Sequence, residues 1–129
     1  PVPAASASAP GLQNTLPASL QRFTAHWNQI LKDRHTSGRD IWIWGTGSRA
    51  TTFLSFVSAQ NALHGAIDIN PLRKGSYVLG TACKTFLPQA LENRKNLSII
   101  VMNPIYKDEI AEALGAISAE AELLLIDDF

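Results

Sequence analysis

The order of apolar and polar positions divides the chain into segments of different period. Leu20, Phe23, Trp27, Ile30 and Leu31 recur at helical offsets and fall on one stripe of a helix. Thr15 or Ser19 is placed to cap it, and the polar run from Asp33 to Gly38 ends it, with the glycine as a positive-φ stop. The period then shortens. Ile41-Trp42-Ile43-Trp44 is a β-branched and aromatic run broken by Gly45-Thr46-Gly47, after which Ala50, Phe53, Leu54 and Val57 return to helical spacing. This predicts strand, tight turn and helix. A second strand runs from Leu63 to Ile69 and is closed by Asn70-Pro71, because proline cannot continue a central ladder. Leu72 to Gly80 reads as a loop, followed by a short strand over Thr81 to Phe86 and a helix over Pro88 to Arg94. Leu97 to Met102 is nearly all apolar, as a strand buried on both faces requires. Asn103-Pro104 then supplies an N-cap and a first-turn proline for a helix with Ile110, Ala111 and Leu114 inward, stopping at Gly115. The last strand is Leu123 to Ile126.

Apolar strands alternating with helices predict an α/β fold. The expected architecture is a Rossmann-like parallel sheet of about five strands in the order 3-2-1-4-5, with helices on both faces and the N-terminal helix ahead of it. The winding of such a sheet reverses between strands 1 and 4, and ligands bind outside the carboxyl ends of the strands at that reversal. Gly45 to Arg49 and Asn103 to Tyr106 fall there.

Composition narrows the classes. With 129 residues, 46% of them apolar, the chain has the size of one core and excludes a multi-domain enzyme. Residues 1–14 are Pro, Ala and Ser with few large apolar side chains and read as a flexible linker, leaving 15–129 as the single domain. A linker that opens a chain with no initiator Met points to a piece of a longer protein. The 11 basic and 11 acidic residues balance, so no global field favours nucleic acid. No apolar run approaches the ~20 residues of a membrane span, and no signal peptide opens the chain. Cys83 is the only cysteine and can form neither an internal disulfide nor a zinc site, which suits the cytoplasm. His26 and His35 have no evident third ligand, so no metal site is expected.

The chemistry-bearing residues gather at the predicted reversal. Gly45-Thr46-Gly47-Ser48-Arg49-Ala50 fits G-x-G-x-x-A between a strand and a helix, and Asp68 lies 21 residues beyond Gly47. The glycines let the backbone turn sharply beside a ligand, and free N–H groups at the helix start attract an anion. Arg49 is placed to neutralise a phosphate, and Asp68 to accept hydrogen bonds from a diol. The same residues also suit a turn that uses glycine for tight packing, with Asp68 capping the next turn. Arg73-Lys74-Gly75-Ser76-Tyr77 puts two cations on a loop that either meets a projecting phosphate or is simply solvated. Asn103 and Tyr106 face the glycine turn either as ligand donors or as a cap and a packing residue. Asp108, Glu109 and Glu112 complement a helix dipole and read as a solvated face. Trp42 and Trp44 read as sheet-packing residues, and Cys83 and His64 have no partners that would make a nucleophile. No catalytic residue is assigned.

Three ordered blocks carry a wider pattern: G-x-G-S-[KR] in IWIWGTGSRATTFL, D-x-N-P-x-[KR]-x-G-x-Y-x-x-G-T in AIDINPLRKGSYVLGT, and N-x-x-Y-x-x-E-I in IIVMNPIYKDEI. Over about residues 40 to 128 the chain resembles the C-terminal, Rossmann-like domain of SAM-dependent C-methyltransferases, the family that includes nucleotide-deoxysugar C-methyltransferases. It departs at Ala50, where glycine is usual, and at Leu79, where proline is usual. The N-P-I-Y form of the third block is similar to the broader methyltransferase branch rather than the deoxysugar branch. The resemblance implies a substrate-binding accessory domain that is inactive in methyl transfer alone. SAM would be held by an upstream domain of the same polypeptide, and this chain would hold no cofactor. Gly45, Gly47, Ser48 and Arg49 would form a phosphate-facing turn, Asp68 and Asn70 a polar rim, and Asn103 and Tyr106 the opposing wall of a site for a small-molecule or nucleotide-sugar substrate. A free-standing NAD- or CoA-binding domain and a non-catalytic docking domain are the alternative readings.

Overall fold

Helix α1 (Ala18–Thr36) lays Trp27 and Leu31 against the sheet. It belongs to a computed structural model that describes residues 16–129, so the expected linker over 1–14 and the proposed cap Thr15 lie outside the described residues. Pro17 occupies the N-cap position and Ser19 sits inside the first turn, so Ser19 does not cap the helix. Gly38 takes the left-handed conformation at the other end, with φ +77°. The chain then alternates: β1 (Asp40–Trp44), α2 (Ser48–Phe56), β2 (Leu63–Ile67), β3 (Thr85–Phe86), β4 (Leu97–Val101), α3 (Lys107–Ala116) and β5 (Ala121–Leu125). Short 3-10 turns at Gln60–Ala62, Pro71–Arg73, Pro88–Leu91 and Pro104–Tyr106 complete the connections.

All neighbouring strands pair in parallel, in the order β3-β2-β1-β4-β5 expected from the sequence. The alternation within the strands divides the core into two layers. Ile41, Ile43, Ile100 and Met102 pack with Trp27, Leu31, Phe53 and Leu54 from α1 and α2. Trp42, Trp44, Ile99 and Val101 face the other way and meet Leu91, Ile110 and Leu114. Both tryptophans of β1 are therefore packing residues, as read from the sequence, and a strand buried on both faces explains the near-continuous apolar run of β4.

Several boundaries move, for local reasons. β2 stops at Ile67 rather than Ile69 because the Asp68 carboxylate accepts the Asn70 N–H at 2.9 Å and turns the chain outward. β3 shrinks to two residues: the segment before it folds back through a Tyr77–Lys84 antiparallel bridge, with the Val78 N–H on the Cys83 carbonyl at 2.9 Å. The expected helix over Pro88 to Arg94 is a 3-10 turn that ends at Leu91, and Asn93 takes φ +61° with its N–H on the Ile117 carbonyl. Gly115 does not stop α3, which continues to Ala116 and is followed by the left-handed residue Ser118. Ala111 is exposed and Ala113 faces the core instead. β5 begins at Ala121, two residues before the expected Leu123. No helix among the described residues is long and apolar enough to cross a membrane.

The amino-terminal end of the sheet is closed by a charged network. Glu122 on β5 receives Arg34 Nε at 2.7 Å and the Ser98 hydroxyl at 2.6 Å, and Arg39 reaches both Ser98 Oγ and the Leu97 carbonyl. The Arg34 hydrogen bond lowers the Glu122 carboxyl below its ordinary range despite partial burial, with Ser98 and Arg39 adding to the effect. A depressed carboxylate stabilises the fold above its unfolded pKa and loses that contribution as pH falls through the folded value. Glu122→Gln is expected to cost about 1–2 kcal/mol at pH 7. The cost shrinks as pH falls below the ordinary glutamate range, where the unfolded chain takes up the proton first, and vanishes once pH has passed through the lowered folded value. Urea denaturation of both proteins at pH 7 and pH 3 checks this; an equal difference at the two pH values contradicts it.

Candidate functional site

The site is created where β1 and β4 end together. Trp44 pairs with Val101, the Met102 N–H bonds the Trp44 carbonyl at 3.1 Å, and the Gly45 N–H bonds the Ile67 carbonyl at 2.8 Å. Three central strands thus release their chains at one level. The chain leaving β1 passes to α2 on the α1 side of the sheet, and the chain leaving β4 passes to α3 on the opposite side. A crevice opens between them.

Gly45 makes the departure possible. It adopts φ +121°, and a Cβ there would lie 3.0 Å from the Met102 Cβ. Both the dihedral and the contact exclude a side chain. Gly47, the N-cap of α2, is different: its φ is −83° and nothing stands within 4 Å of an added Cβ. Its side of the turn is open, and the N–H groups of the first turn of α2 have no intrahelical acceptors. On the far wall, the Asn103 side chain accepts the Ile105 N–H at 3.4 Å and starts the 3-10 turn that leads into α3. Arg49 ties the walls together by donating from Nη1 to the Met102 carbonyl at 3.2 Å.

The crevice holds two adjoining pockets. One, of about 300 Å³, is lined by Gly45, Gly47, Ser48, Arg49, Asn103 and Tyr106, over Met102 and Ile110. The other, of about 440 Å³, lies over the end of β2 and is lined by Ile67, Asp68, Ile69, Glu109 and Ala113. Trp44, Gly45, Tyr106 and Ile110 line both, so the pockets form one cleft. A third hollow of about 340 Å³ lies behind the turn, among Phe23, Thr52, Asp127 and Phe129, with Ser48 and Arg49 as the shared wall.

The two segments picked from the sequence therefore converge on one cleft. Asp68 joins them, but its carboxylate also accepts the Thr46 hydroxyl and the Asn70 N–H, so it braces the turn as well as lining the pocket. Asn70 lines neither pocket; its side chain caps Pro71–Arg73 by accepting the Leu72 N–H at 3.0 Å. Arg73 and Lys74 line neither pocket, and their loop is pinned to β3 by the Gly75 N–H on the Thr85 carbonyl at 2.9 Å. Glu109 is exposed, as a solvated helix face requires, and it also lines the larger pocket. The available signal was its spacing: three residues after Tyr106, it shares the side of the chain that opens α3 at the cleft.

Charge is unevenly placed along the cleft. The ion pairs found among the described residues include neither Arg49 nor Glu109, so each presents an uncompensated charge. Cys83 lies away from the cleft lining, and burial pushes its thiol up to about 11, which leaves it protonated and unreactive at neutral pH.

The comparison with known families agrees with this geometry. Residues 9–126 match the C-methyltransferase C-terminal domain, and the chain belongs to that family. Searches of curated proteins and of solved structures find no match. A domain of this kind implies a further, upstream domain and a SAM-dependent reaction in the full protein.

The two glycines of the turn give a direct test of its construction. Gly45→Ala is expected to destabilise the protein by about 2 kcal/mol or more, whereas Gly47→Ala changes stability by less than about 1 kcal/mol. Thermal unfolding of the two variants measures this; equal effects contradict it.

Proposed function

We propose that this chain is the substrate-holding accessory domain of a SAM-dependent C-methyltransferase, gripping a phosphate-bearing small molecule such as a nucleotide sugar and catalysing no methyl transfer alone. The observation that carries the reading is the convergence of the Gly45–Arg49 turn and the Asn103–Tyr106 wall on one cleft. The anionic part of the ligand lies over Ser48 and Arg49, where the first-turn N–H groups of α2 and an unpaired guanidinium attract it. Asn103 and Tyr106 close over it from the opposite wall. Asn70 supports the rim indirectly by holding the turn beside Asp68.

SAM is assigned to the upstream domain. The cleft, with compartments of about 440 and 300 Å³, has the size of a site for one ligand, and in this reading the acceptor takes it. The upstream domain also supplies a partner for an apolar rim. Ile69, Leu72 and Ile105 stand exposed on the segments that follow β2 and β4, Leu72 to 90%. A rim of this kind beside a substrate cleft suits a domain that carries the donor and closes over the acceptor. The single unreactive thiol suits a cytoplasmic enzyme.

Calorimetric titration of the isolated chain with a dTDP-sugar, NAD, CoA and SAM tests the proposal. Binding of the dTDP-sugar alone is expected, weakened about tenfold in Arg49→Ala by loss of one charge-assisted contact. Preferential NAD binding that disappears in Asp68→Ala, or methyl transfer by this chain without the upstream domain, overturns it.

A further inference from the structure

We infer that the larger compartment of the cleft reads a hydroxyl- or amine-bearing ring of the ligand, with Glu109 as its specificity-determining acceptor. The inference rests on the substrate-holding function proposed above and fixes which end of the ligand lies where. The compartment has an apolar floor of Trp44, Ile67 and Ile110 and an aromatic wall, Tyr106, which is 46% exposed. Its charged side chains are both carboxylates, Asp68 at the end of β2 and Glu109 on α3, and its other side-chain hydroxyl, that of Tyr106, both donates and accepts. An ionised carboxylate only accepts hydrogen bonds. A ligand group that meets these carboxylates must therefore donate, and a phosphate or carboxylate placed against them is repelled.

Asp68 has committed one bond from each oxygen, to Thr46 and to the Asn70 N–H. A carboxylate offers about four lone-pair sites, so Asp68 contributes only part of its capacity. Glu109 has no ion-pair partner among the described residues and remains the free acceptor. The neighbouring compartment carries the opposite character, with Arg49 and the start of α2. Trp44, Gly45, Tyr106 and Ile110 line both compartments and join these ends. A sugar ring fits the acidic end: its C–H face lies on an aromatic or apolar surface, and its hydroxyls point to acceptors at the edges. The ligand is thereby oriented with its ring over β2 and its phosphates over α2.

The test compares dTDP-glucose with dTDP on the wild-type chain and on Glu109→Ala and Asp108→Ala. Asp108 lies in the same first turn of α3 and interacts with the same helix dipole, but it lines neither compartment. Wild-type protein is expected to bind dTDP-glucose more tightly than dTDP. Glu109→Ala should weaken dTDP-glucose about five- to tenfold and leave dTDP unchanged, as for loss of one hydrogen bond to a charged group. Asp108→Ala should change neither affinity. Equal weakening of both ligands by Glu109→Ala, or no weakening of either, overturns the assignment while leaving the substrate-holding function intact. Failure of wild-type protein to bind either ligand overturns that function and this inference with it.

Discussion

The simultaneous ending of β1 and β4 is the constraint on which the molecule's function depends. Their parallel ladder runs in step from Asp40–Leu97 to Trp44–Val101, and the next residues, Gly45 and Met102, stand side by side. One chain must turn toward α2 and the other toward α3, because each strand has already filled both layers of the core. Gly45 provides the only side-chain-free position in that pair. Met102 fills the space that a Cβ would need, and its carbonyl accepts the Arg49 guanidinium. The crevice is thus a product of backbone topology, and the groups that line it are carried on the first turns of two helices rather than on long loops.

The two ends of the sheet have been given different tasks. At the amino-terminal end, charges are paired: Glu122 gathers Arg34, Arg39 and the buried Ser98 hydroxyl, and Asp40 meets His64 and Arg94. Such closure ties α1 to the sheet through charged hydrogen bonds. At the carboxyl-terminal end, Arg49 and Glu109 are unpaired and large apolar side chains are exposed. Unpaired charge and exposed apolar side chains thus occur together beside one cleft, the combination on which the proposed substrate and domain contacts rest. Membership of the C-methyltransferase C-terminal domain family gives that surface its context.

Much of the fold was legible because local pattern and long-range packing agree. Leu97 to Met102 reads as a strand buried on both faces, and β4 is one; Asn103-Pro104 reads as the start of a helix and caps the 3-10 turn that leads into it. The misread boundaries are those set by distant partners. Thr81 to Cys83 has strand character, but it pairs back on its own chain through the Val78–Cys83 bond and the Tyr77–Lys84 bridge, and only from the Lys84 carbonyl onward does the chain bond β2. Gly115 looks like a stop, yet α3 continues for another residue because the left-handed position falls at Ser118. The site was legible in its two segments, since strand order alone brings them together. What the sequence does not carry is side-chain direction: the Asn70 side chain accepts the Leu72 N–H of its own turn, and the exposed Glu109 stands at the edge of the cleft.

The most direct test of the shared cleft is a ¹H–¹⁵N correlation spectrum recorded while dTDP-glucose is added to the labelled chain. The account predicts that the amides of Gly47, Ser48 and Arg49 shift in parallel with those of Asn103 and Tyr106, along one binding curve. Shifts confined to one of the two segments, or centred on Arg39, Asn96 and Glu122 at the other end of the sheet, would contradict it.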